Sequence, residues 1–251
     1  MLFTALLYGL LGAVVGSFLN VCIDRLPAGG SLVKPPSHCP ACGRRLRAWE
    51  LVPILSYLGL GGRCRSCGEH IPLRVLVVEI ATALFFALIW HRSGLSAETF
   101  LFSLYGCLLL VMGGTDWETQ RILNVVSYPA ILVSLIMIPL VHNQQPWQQL
   151  LGGVVGFAVL FLIAIIAPGA MGFGDVKLVL FLGLITGFPE VILVLFFAFV
   201  FGGMVAGFLL ITNKVGPKDQ IAFGPFLAGA GMLVLLYGEP ILRWWIRRIG
   251  T

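Results

Sequence analysis

The first apolar stretch of the chain, residues 2–23, reads LFTALLYGLLGAVVGSFLNVCI and contains no charged residue. As an α-helix, its 22 residues would extend about 33 Å at roughly 1.5 Å per residue, enough to cross the hydrocarbon core of a bilayer. The stretch has no basic leader and continues into Asp24 and Arg25 without a small-residue cleavage site. We therefore expect a membrane-spanning helix here rather than a cleaved signal peptide.

The rest of the chain has a similar composition. Of its 251 residues, 59% are hydrophobic and 11% are charged, and the mean hydropathy is +0.99. Too few polar side chains remain to cover a water-facing surface, which excludes a soluble enzyme, a secreted disulfide scaffold and a disordered tail. In a membrane protein the net charge of +5 reports orientation, so the predicted partner is the lipid bilayer and not nucleic acid.

Charges and Gly/Pro turns divide the chain into eight apolar runs of roughly membrane-spanning length. The predicted fold class is therefore all-α: a single polytopic membrane domain, residues 1–251, with about eight transmembrane helices, a cytoplasmic loop inserted at 24–74 and catalytic helices over 75–238. The sixth run is short and ends at Gly187-Phe188-Pro189, which predicts a tilted helix or half of a hairpin with the seventh. The predicted spans are residues 2–23, 75–90, 99–115, 124–141, 149–167, 175–187, 190–212 and 221–238.

Basic residues are concentrated in alternate loops of this arrangement. Segments 24–74, 116–123, 168–177 and 213–220 hold twelve of the sixteen. Because Lys and Arg accumulate on the cytoplasmic side, we expect these segments in the cytoplasm and both termini outside. The cationic tail at 244–248 is interpreted as an interfacial anchor, which suits either side. The twelve residues are Arg25, Lys34, Arg44, Arg45, Arg47, Arg63, Arg65, Arg74, Arg121, Lys177, Lys214 and Lys218.

The loop at 24–74 contains two CxxC knuckles, Cys39-Pro40-Ala41-Cys42 and Cys64-Arg65-Ser66-Cys67, each followed by glycine. The two-residue gap lets both sulfurs of a knuckle bind one ion, and four thiolates form the closed tetrahedral set typical of structural zinc. Iron in a rubredoxin-like site is the alternative, whereas a disulfide is disfavoured on the predicted cytoplasmic side. We predict that Cys39, Cys42, Cys64 and Cys67 bind zinc, which folds a loop too small for a core of its own.

Acidic residues near the ends of the predicted spans are the candidates for chemistry, because a charge at membrane depth is costly and seldom present without a use. Asp116 ends the third span after Gly113-Gly114-Thr115, and Asp175 begins the sixth after Gly172-Phe173-Gly174. The predicted topology puts both at the cytoplasmic face, where one carboxyl can act as general base on water and the other as general acid toward a peptide. The alternative is structural, with Asp175 as a helix N-cap and Asp116 as a solvated border residue.

A second polar group lies at the border of the first two predicted spans. Ser17, Asn20 and Asp24 share one face of the first helix, and Glu79 lies near the same border. These side chains either line a polar pocket beside the cysteine loop or satisfy the loop backbone. No motif identifies a nucleotide-like cofactor pocket, so the cofactor-binding residues are unknown.

Four motifs, in order along the chain, resemble those of the bacterial type IV prepilin peptidases. The Gly-x-Gly-Asp sequence at a membrane border is similar to that of the intramembrane aspartyl proteases. The surrounding residues, MGFGDVKL at 171–178, resemble the prepilin peptidases among them. The other motifs are GSFLNVCIDRLP at 16–27, the paired CxxC loop with PILSY at 53–57, and FGPFL at 223–227. The resemblance extends over nearly the whole chain.

This resemblance implies an enzyme of the bacterial inner membrane that cuts the basic leader from type IV pilus prepilins, or from the pseudopilins of protein secretion, at the cytoplasmic border. It implies that Asp116 and Asp175 are the aspartyl protease pair and that the four cysteines are the zinc ligands of a methyltransferase loop. Many members of the family then methylate the new N-terminus with S-adenosylmethionine, which implies a second cofactor.

The chain departs from the family pattern at three places. It has Ile122-Leu123-Asn124 where the family usually has Leu-Pro-Asp, Arg74-Val75-Leu76 where the family usually has Arg-Tyr-Pro, and Ala222 in place of a common proline. Both aspartates and all four cysteines are kept. The competing function is a small ion-coupled transporter with paired proton-carrying acids and a regulatory cysteine loop, which broken helices and midplane acids would favour.

Overall fold

The computed structural model describes residues 2–141, 146–167, 169, 171–212, 216 and 221–249. The regular secondary structure of these residues is helical, with two isolated β-bridges in the inserted loop and no β-strand, which confirms the all-α prediction. Lys214 and Lys218, two of the twelve basic residues from which orientation was predicted, lie outside the described residues.

Eight long helices in the described part of the chain correspond one to one with the eight predicted spans. The loop at 24–74 adds two short elements, a 3₁₀ turn at Ala48–Leu51 and the five-residue helix α2. The helices are α1 (Leu2–Arg25), α2 (Leu55–Gly59), α3 (Leu73–Ser93), α4 (Ala97–Thr119), α5 (Asn124–Val141), α6 (Pro146–Ile166), α7 (Phe173–Thr186), α8 (Glu190–Ile211) and α9 (Gly224–Ile249).

Six of these helices are long and apolar enough to cross a membrane, namely α1, α3, α4, α6, α8 and α9. Helix α5 is apolar over the shorter range Asn124–Pro139. Helix α7 has 14 residues, so it extends only about 21 Å, less than the hydrocarbon core of roughly 30 Å. Large apolar side chains such as Val154, Phe196 and Ile211 are exposed on these helices, as expected where lipid covers them. The chain is a multi-pass membrane protein.

The chain forms two compact units, Met1–Val111 (unit 1) and Met112–Thr251 (unit 2), with the boundary inside α4. In unit 1, α1 and α3 pack side by side through small residues of α1. A Cβ at Gly12 would lie 2.7 Å from the Thr82 carbonyl oxygen, and one at Gly16 would lie 2.9 Å from the Glu79 Cα. Glycine at these positions lets the two backbones approach closely. Because α1 leads into the inserted loop and α3 follows it, this packing brings the two ends of the loop together.

Helix α7 lies inside unit 2, packed mainly on α6 and in contact with α5, α8 and α9. Its buried side chains include Val176, Leu178, Phe181 and Leu182, each no more than 1% exposed. A helix that is apolar on all sides is covered either by other helices or by lipid, and four helices of this unit pack on α7. The neighbouring helices therefore fix the position of the first turn of α7, which carries Asp175.

Candidate active site and metal centre

Asp116 lies in the last turn of α4 and is only 6% exposed. Its Oδ2 accepts a hydrogen bond of 2.9 Å from the backbone N–H of Gly224, the first residue of α9. A Cβ at Gly224 would lie 2.7 Å from that oxygen, so glycine is needed for this contact. The structural alternative for Asp116, a solvated border residue, is wrong because packing against α9 leaves the residue only 6% exposed.

Asp175 is the third residue of α7 and follows the N-cap position, which Gly172 occupies. Its Oδ2 accepts a hydrogen bond of 3.3 Å from the Gly172 N–H, so the carboxylate reaches back over the helix start. The alternative prediction for Asp175, a capping carboxylate at the helix start, is therefore confirmed in its role but not in its position, because Asp175 caps the helix from three residues after the N-cap. Its other oxygen, Oδ1, is buried and has no hydrogen-bond partner among the described atoms. A buried polar atom without a partner is unusual in folded proteins, which indicates a use for this carboxyl beyond helix capping.

The two aspartates line one cavity of about 400 Å³ in unit 2. The end of α4, the following linker, the start of α5 and the start of α7 form its wall. Two carboxyls in one cavity can share a proton and act as general base and general acid on the same bond. The lining residues are Asp116, Gln120, Arg121, Ile122, Leu123, Asn124, Gly172, Phe173, Gly174, Asp175 and Lys177.

Two contacts hold Lys177 on this wall. Its Nζ donates a hydrogen bond of 2.5 Å to Asn124 Oδ1 and lies 5.1 Å from the centre of the Tyr128 ring. The sequence analysis counted Lys177 among the cytoplasmic basic residues and named Asn124 as a departure from the family pattern, and it placed neither in the site. The only signal was their place beside the two aspartates, and nothing in the sequence relates two residues 53 positions apart.

A larger cavity, of about 650 Å³, lies between α8 and α9. It is lined by apolar and aromatic side chains, among them Phe196, Phe197, Trp244 and Trp245. Its described lining residues include one titratable group, the Tyr237 phenol, and no carboxyl, histidine, lysine, arginine or thiol. It therefore offers surface for apolar contact and lacks the pair of carboxyls found in the smaller cavity.

The four cysteines of the inserted loop converge in unit 1. Their sulfurs all lie within 4.8 Å of one another, and the Sγ atoms of Cys39 and Cys67 are 3.8 Å apart. A tetrahedral zinc ion with Zn–S bonds of about 2.3 Å needs sulfurs about 3.8 Å apart. The six cysteines of the chain are all free thiols. The observed set fits one zinc ion and does not form disulfides.

The two knuckles have matching local geometry. Gly43 and Gly68 each have positive φ, +68° and +73° respectively, and each donates a backbone hydrogen bond of 2.9 Å to the first cysteine of its knuckle. Glycine adopts this left-handed conformation without the steric cost that other residues incur. Backbone N–H groups of Cys67 and Ser66 lower the pKa of Cys64 to about 6. That favours the thiolate, which is the form that binds a metal.

An ion pair between a half-buried arginine and a buried glutamate lies beside this cluster. Arg44 Nη2 donates to Glu50 Oε1 at 2.5 Å, and the Arg47 backbone N–H donates to Glu50 Oε2 at 2.7 Å. The Glu50 side chain is 1% exposed, and the hydrogen bond from Arg44 and then that from Arg47 lower its pKa. The hydrogen bond to Glu50 and, to a smaller extent, the nearby Cys64 sulfur raise the pKa of the Arg44 guanidinium. Arg44 therefore links the first knuckle to the second, a role that sequence reasoning missed.

The polar side chains at the ends of the inserted loop form hydrogen bonds with backbone groups and one ion pair. Glu79 Oε2 accepts a hydrogen bond of 2.7 Å from the Ile54 N–H, and Asn20 Nδ2 donates to the Val75 carbonyl at 3.0 Å. Arg74 donates to Asn20 Oδ1 at 3.0 Å and forms an ion pair with Asp24. Of the two predicted uses, a polar pocket or hydrogen bonds to the loop backbone, these contacts correspond to the second. They assign no residue to a cofactor.

Two family profiles match the chain in succession. Residues 10–93 match the bacterial peptidase A24 N-terminal domain, and residues 103–207 match the type IV leader peptidase family. The first match contains all four cysteines, and the second contains both aspartates. No solved structure gives a significant match to the chain.

Curated proteins from several bacteria are similar over nearly their whole length. A protein of Bacillus subtilis is 32% identical over 240 residues, which cover 94% of this chain and 95% of the relative. One from Pseudomonas aeruginosa is 32% identical, with 96% and 93% covered, and one from Neisseria gonorrhoeae is 30% identical, with 97% and 95% covered. Each of the three relatives is named prepilin leader peptidase/N-methyltransferase.

Proposed function

The chain belongs to the type IV leader peptidase family, and from that premise we propose that it is a membrane aspartyl endopeptidase that removes the basic leader of type IV prepilins or pseudopilins. The observation that supports this most directly is the pair Asp116 and Asp175 on the wall of one cavity. The ion-coupled transporter is not favoured, because relatives over almost the full length carry the name of a peptidase.

Hydrolysis would use the two carboxyls in complementary protonation states. The ionised carboxylate takes a proton from water, whose oxygen then attacks the carbonyl carbon of the scissile peptide bond. The protonated carboxyl hydrogen-bonds the carbonyl oxygen, and a proton passes to the leaving amine as the C–N bond breaks. The Gly224 N–H orients Asp116, and Oδ1 of Asp175 has no hydrogen-bond partner among the described atoms.

The bacterial inner membrane is the proposed location, with the cavity at the cytoplasmic border. The support is the predicted orientation, which assigns the cytoplasmic side to the segment that contains Asp116 and to the segment that contains Asp175. A prepilin whose apolar segment lies in the bilayer would then expose the bond after its basic leader at the depth of the two carboxyls.

The second proposed activity is N-methylation of the new N-terminus with S-adenosylmethionine, which would supply the methyl group. The names of the relatives support this activity. The described contacts identify no residues that bind this cofactor. Cys39, Cys42, Cys64 and Cys67 would hold zinc, whose contribution is to join the two knuckles and keep the inserted loop folded.

Cleavage of a synthetic prepilin segment by the purified full-length protein in detergent tests the protease assignment. Asp116→Asn and Asp175→Asn should each lower the cleavage rate by about 10²- to 10⁴-fold, because an amide cannot transfer the proton. Glu98→Gln, in the first turn of α4, is the control and should cleave normally. Near-normal cleavage by either aspartate variant, with unchanged thermal stability, would contradict the pair.

A further inference from the structure

The short helix α2 of the inserted loop exposes apolar side chains outside the membrane-spanning helices. Leu55 and Leu58, three positions apart, lie on one face of α2 and are 69% and 62% exposed. The preceding 3₁₀ turn, which contacts α2, adds the exposed side chains of Trp49 and Leu51. We call these four residues the apolar patch. A cluster of large exposed apolar side chains of this kind marks an interaction surface.

Another face of α2 is held by the protein, which fixes the orientation of the apolar patch. The Tyr57 hydroxyl donates a hydrogen bond of 3.2 Å to the Ile71 carbonyl, and a Cβ at Gly62 would lie 2.9 Å from the Tyr57 ring. Just before α2, the Ile54 N–H donates to Glu79 Oε2 at 2.7 Å. A helix of five residues is not stable alone, so these contacts hold α2 in place with the patch turned outward.

The hydrogen bond to Glu79 also sets the depth of α2 in unit 1. Glu79 is the seventh residue of α3, one of the helices long and apolar enough to span a membrane. It therefore lies about 9 Å along the helix from the first residue. Val77 and Ile80, on either side of Glu79 in α3, are exposed apolar residues of the kind that lipid covers. The chain thus enters α2 level with the lipid-facing surface of α3.

The inserted loop has an excess of positive charge. It contains eight Lys and Arg residues and three acids, a net charge of +5. Two of the acids form ion pairs, Glu50 with Arg44 and Asp24 with Arg74, and the third is Glu69. Four thiolates around one zinc ion would contribute about −2, which leaves the loop at about +3. The loop is therefore cationic with or without its metal.

Exposed arginines lie on both sides of the apolar patch along the chain. Arg47 directly precedes the 3₁₀ turn, and Arg63 follows α2. The Arg65 guanidinium lies 4.8 Å from the centre of the Trp49 ring, a member of the patch. Apolar side chains flanked by cations match a bilayer surface with anionic headgroups, because the apolar groups enter the acyl boundary while the cations bind phosphate. An anionic leaflet therefore complements both the patch and its surrounding charge.

We propose that the inserted loop binds the anionic phospholipid surface of the leaflet on its own side of the membrane, which is the cytoplasmic side in the proposed orientation. Leu55 and Leu58 enter the boundary between headgroups and acyl chains, and Arg47 and Arg63 bind lipid phosphates. This contact holds the cysteine cluster close to the membrane surface. It does not depend on the proposed peptidase or methyltransferase activity.

Hydrogen exchange of the full-length protein in lipid nanodiscs measures this contact. Amides of residues 48–60 should exchange about tenfold more slowly in phosphatidylglycerol than in phosphatidylcholine, because each arginine near an anionic leaflet strengthens binding by about fivefold. The double variant Leu55→Ser/Leu58→Ser should exchange faster in both lipids and retain wild-type zinc. Leu95→Ser is the control, since Leu95 is an exposed leucine just beyond the other end of α3. It should keep the wild-type exchange rates at 48–60.

A second double variant isolates the charge. Arg47→Gln/Arg63→Gln keeps the backbone hydrogen bonds of both residues and should reduce the difference between the two lipids to about twofold or less. About 1 M salt should reduce the wild-type difference in the same way. Arg247→Gln/Arg248→Gln is the matched control, because it removes the same charge from the C-terminal tail. It should leave the difference at 48–60 unchanged.

Three results would overturn the proposal. The first is equal exchange of residues 48–60 in the two lipids by the wild-type protein. The second is a lipid-dependent difference that survives in both double variants of the loop. The third is protection that rises with the number of protein copies per disc, which would mean that a second copy covers the patch. If the serine variant loses zinc, the Arg47→Gln/Arg63→Gln variant alone decides.

Discussion

The cysteine cluster of unit 1 and the aspartate cavity of unit 2 are built over very different distances along the chain. Cys39 and Cys67, the outermost ligands of the cluster, are 28 residues apart, and each knuckle is closed by hydrogen bonds to its immediate neighbours. In the cavity, Asp116 is held by Gly224, 108 residues away. The cluster therefore depends on its ion and on local turns, whereas the cavity depends on helix packing. Loss of the ion should therefore disrupt the cysteine cluster, and altered helix packing should disrupt the aspartate cavity.

The largest expected effect is the loss of the metal. We expect about one zinc ion per chain in protein purified under reducing conditions without chelator. Cys39→Ser or Cys64→Ser should remove it and unfold the inserted loop, because zinc binding to such sites is worth on the order of 10 kcal/mol. Elemental analysis measures the zinc, and Cys107→Ser, which lies outside the cluster, should retain it. Metal-free wild-type protein would refute the zinc assignment.

The second effect tests whether the two sites work separately. Asp116→Asn should lose cleavage by about 10²- to 10⁴-fold and should still bind zinc. Supplied with an already cleaved pilin and labelled S-adenosylmethionine, it should transfer the label as the wild-type protein does. Loss of both activities at unchanged thermal stability, with the wild-type protein active in both assays, would show that a single site performs both reactions.

The third effect concerns the packing on which the cavity depends. Gly224→Ala adds a Cβ 2.7 Å from Asp116 Oδ2, so either the carboxylate or the start of α9 must move. A shift of this kind should lower cleavage by up to about 100-fold, because catalytic groups tolerate little misplacement. Gly229→Ala is the matched control in the same helix, since nothing lies within 4 Å of its added Cβ. Equal rates in the two variants would show that the Gly224 contact does not position Asp116.

The sequence predicted the features that depend on local patterns and missed those that depend on helix packing. The eight helices and the four cysteines were legible from apolar runs and a two-residue spacing, which are local patterns. Asp116 and Asp175 were identified by position and by resemblance, but the burial of the first and the capping position of the second were not predicted. Asp116 is buried by α9 and Asp175 lies three residues past its helix cap, and neither fact follows from neighbours in sequence. The pairing of Lys177 with Asn124 arises only when α5 and α7 pack.

The smallest expected effect lies beside the cysteine cluster and tests whether that site is wholly local. Glu50 holds Arg44, and Arg44 in turn interacts with the Cys64 sulfur. A zinc ion with four thiolates carries a net charge of about −2, so a fixed guanidinium beside one sulfur should stabilise the complex. Glu50→Gln keeps the shape of the side chain but weakens its hold on Arg44. The variant should therefore release zinc to a chelator about tenfold faster than the wild-type protein.

The control for this measurement is Glu69→Gln, in the same loop, where the exposed carboxylate is changed and the backbone bond from the Cys64 N–H to the Glu69 carbonyl is kept. It should release zinc at the wild-type rate. Cleavage of prepilin should be the same in both variants, because neither touches the aspartate cavity. Equal release from Glu50→Gln and Glu69→Gln would mean that the knuckles alone hold the ion. In that case the Arg44–Glu50 pair would serve only to join the 3₁₀ turn to the first knuckle.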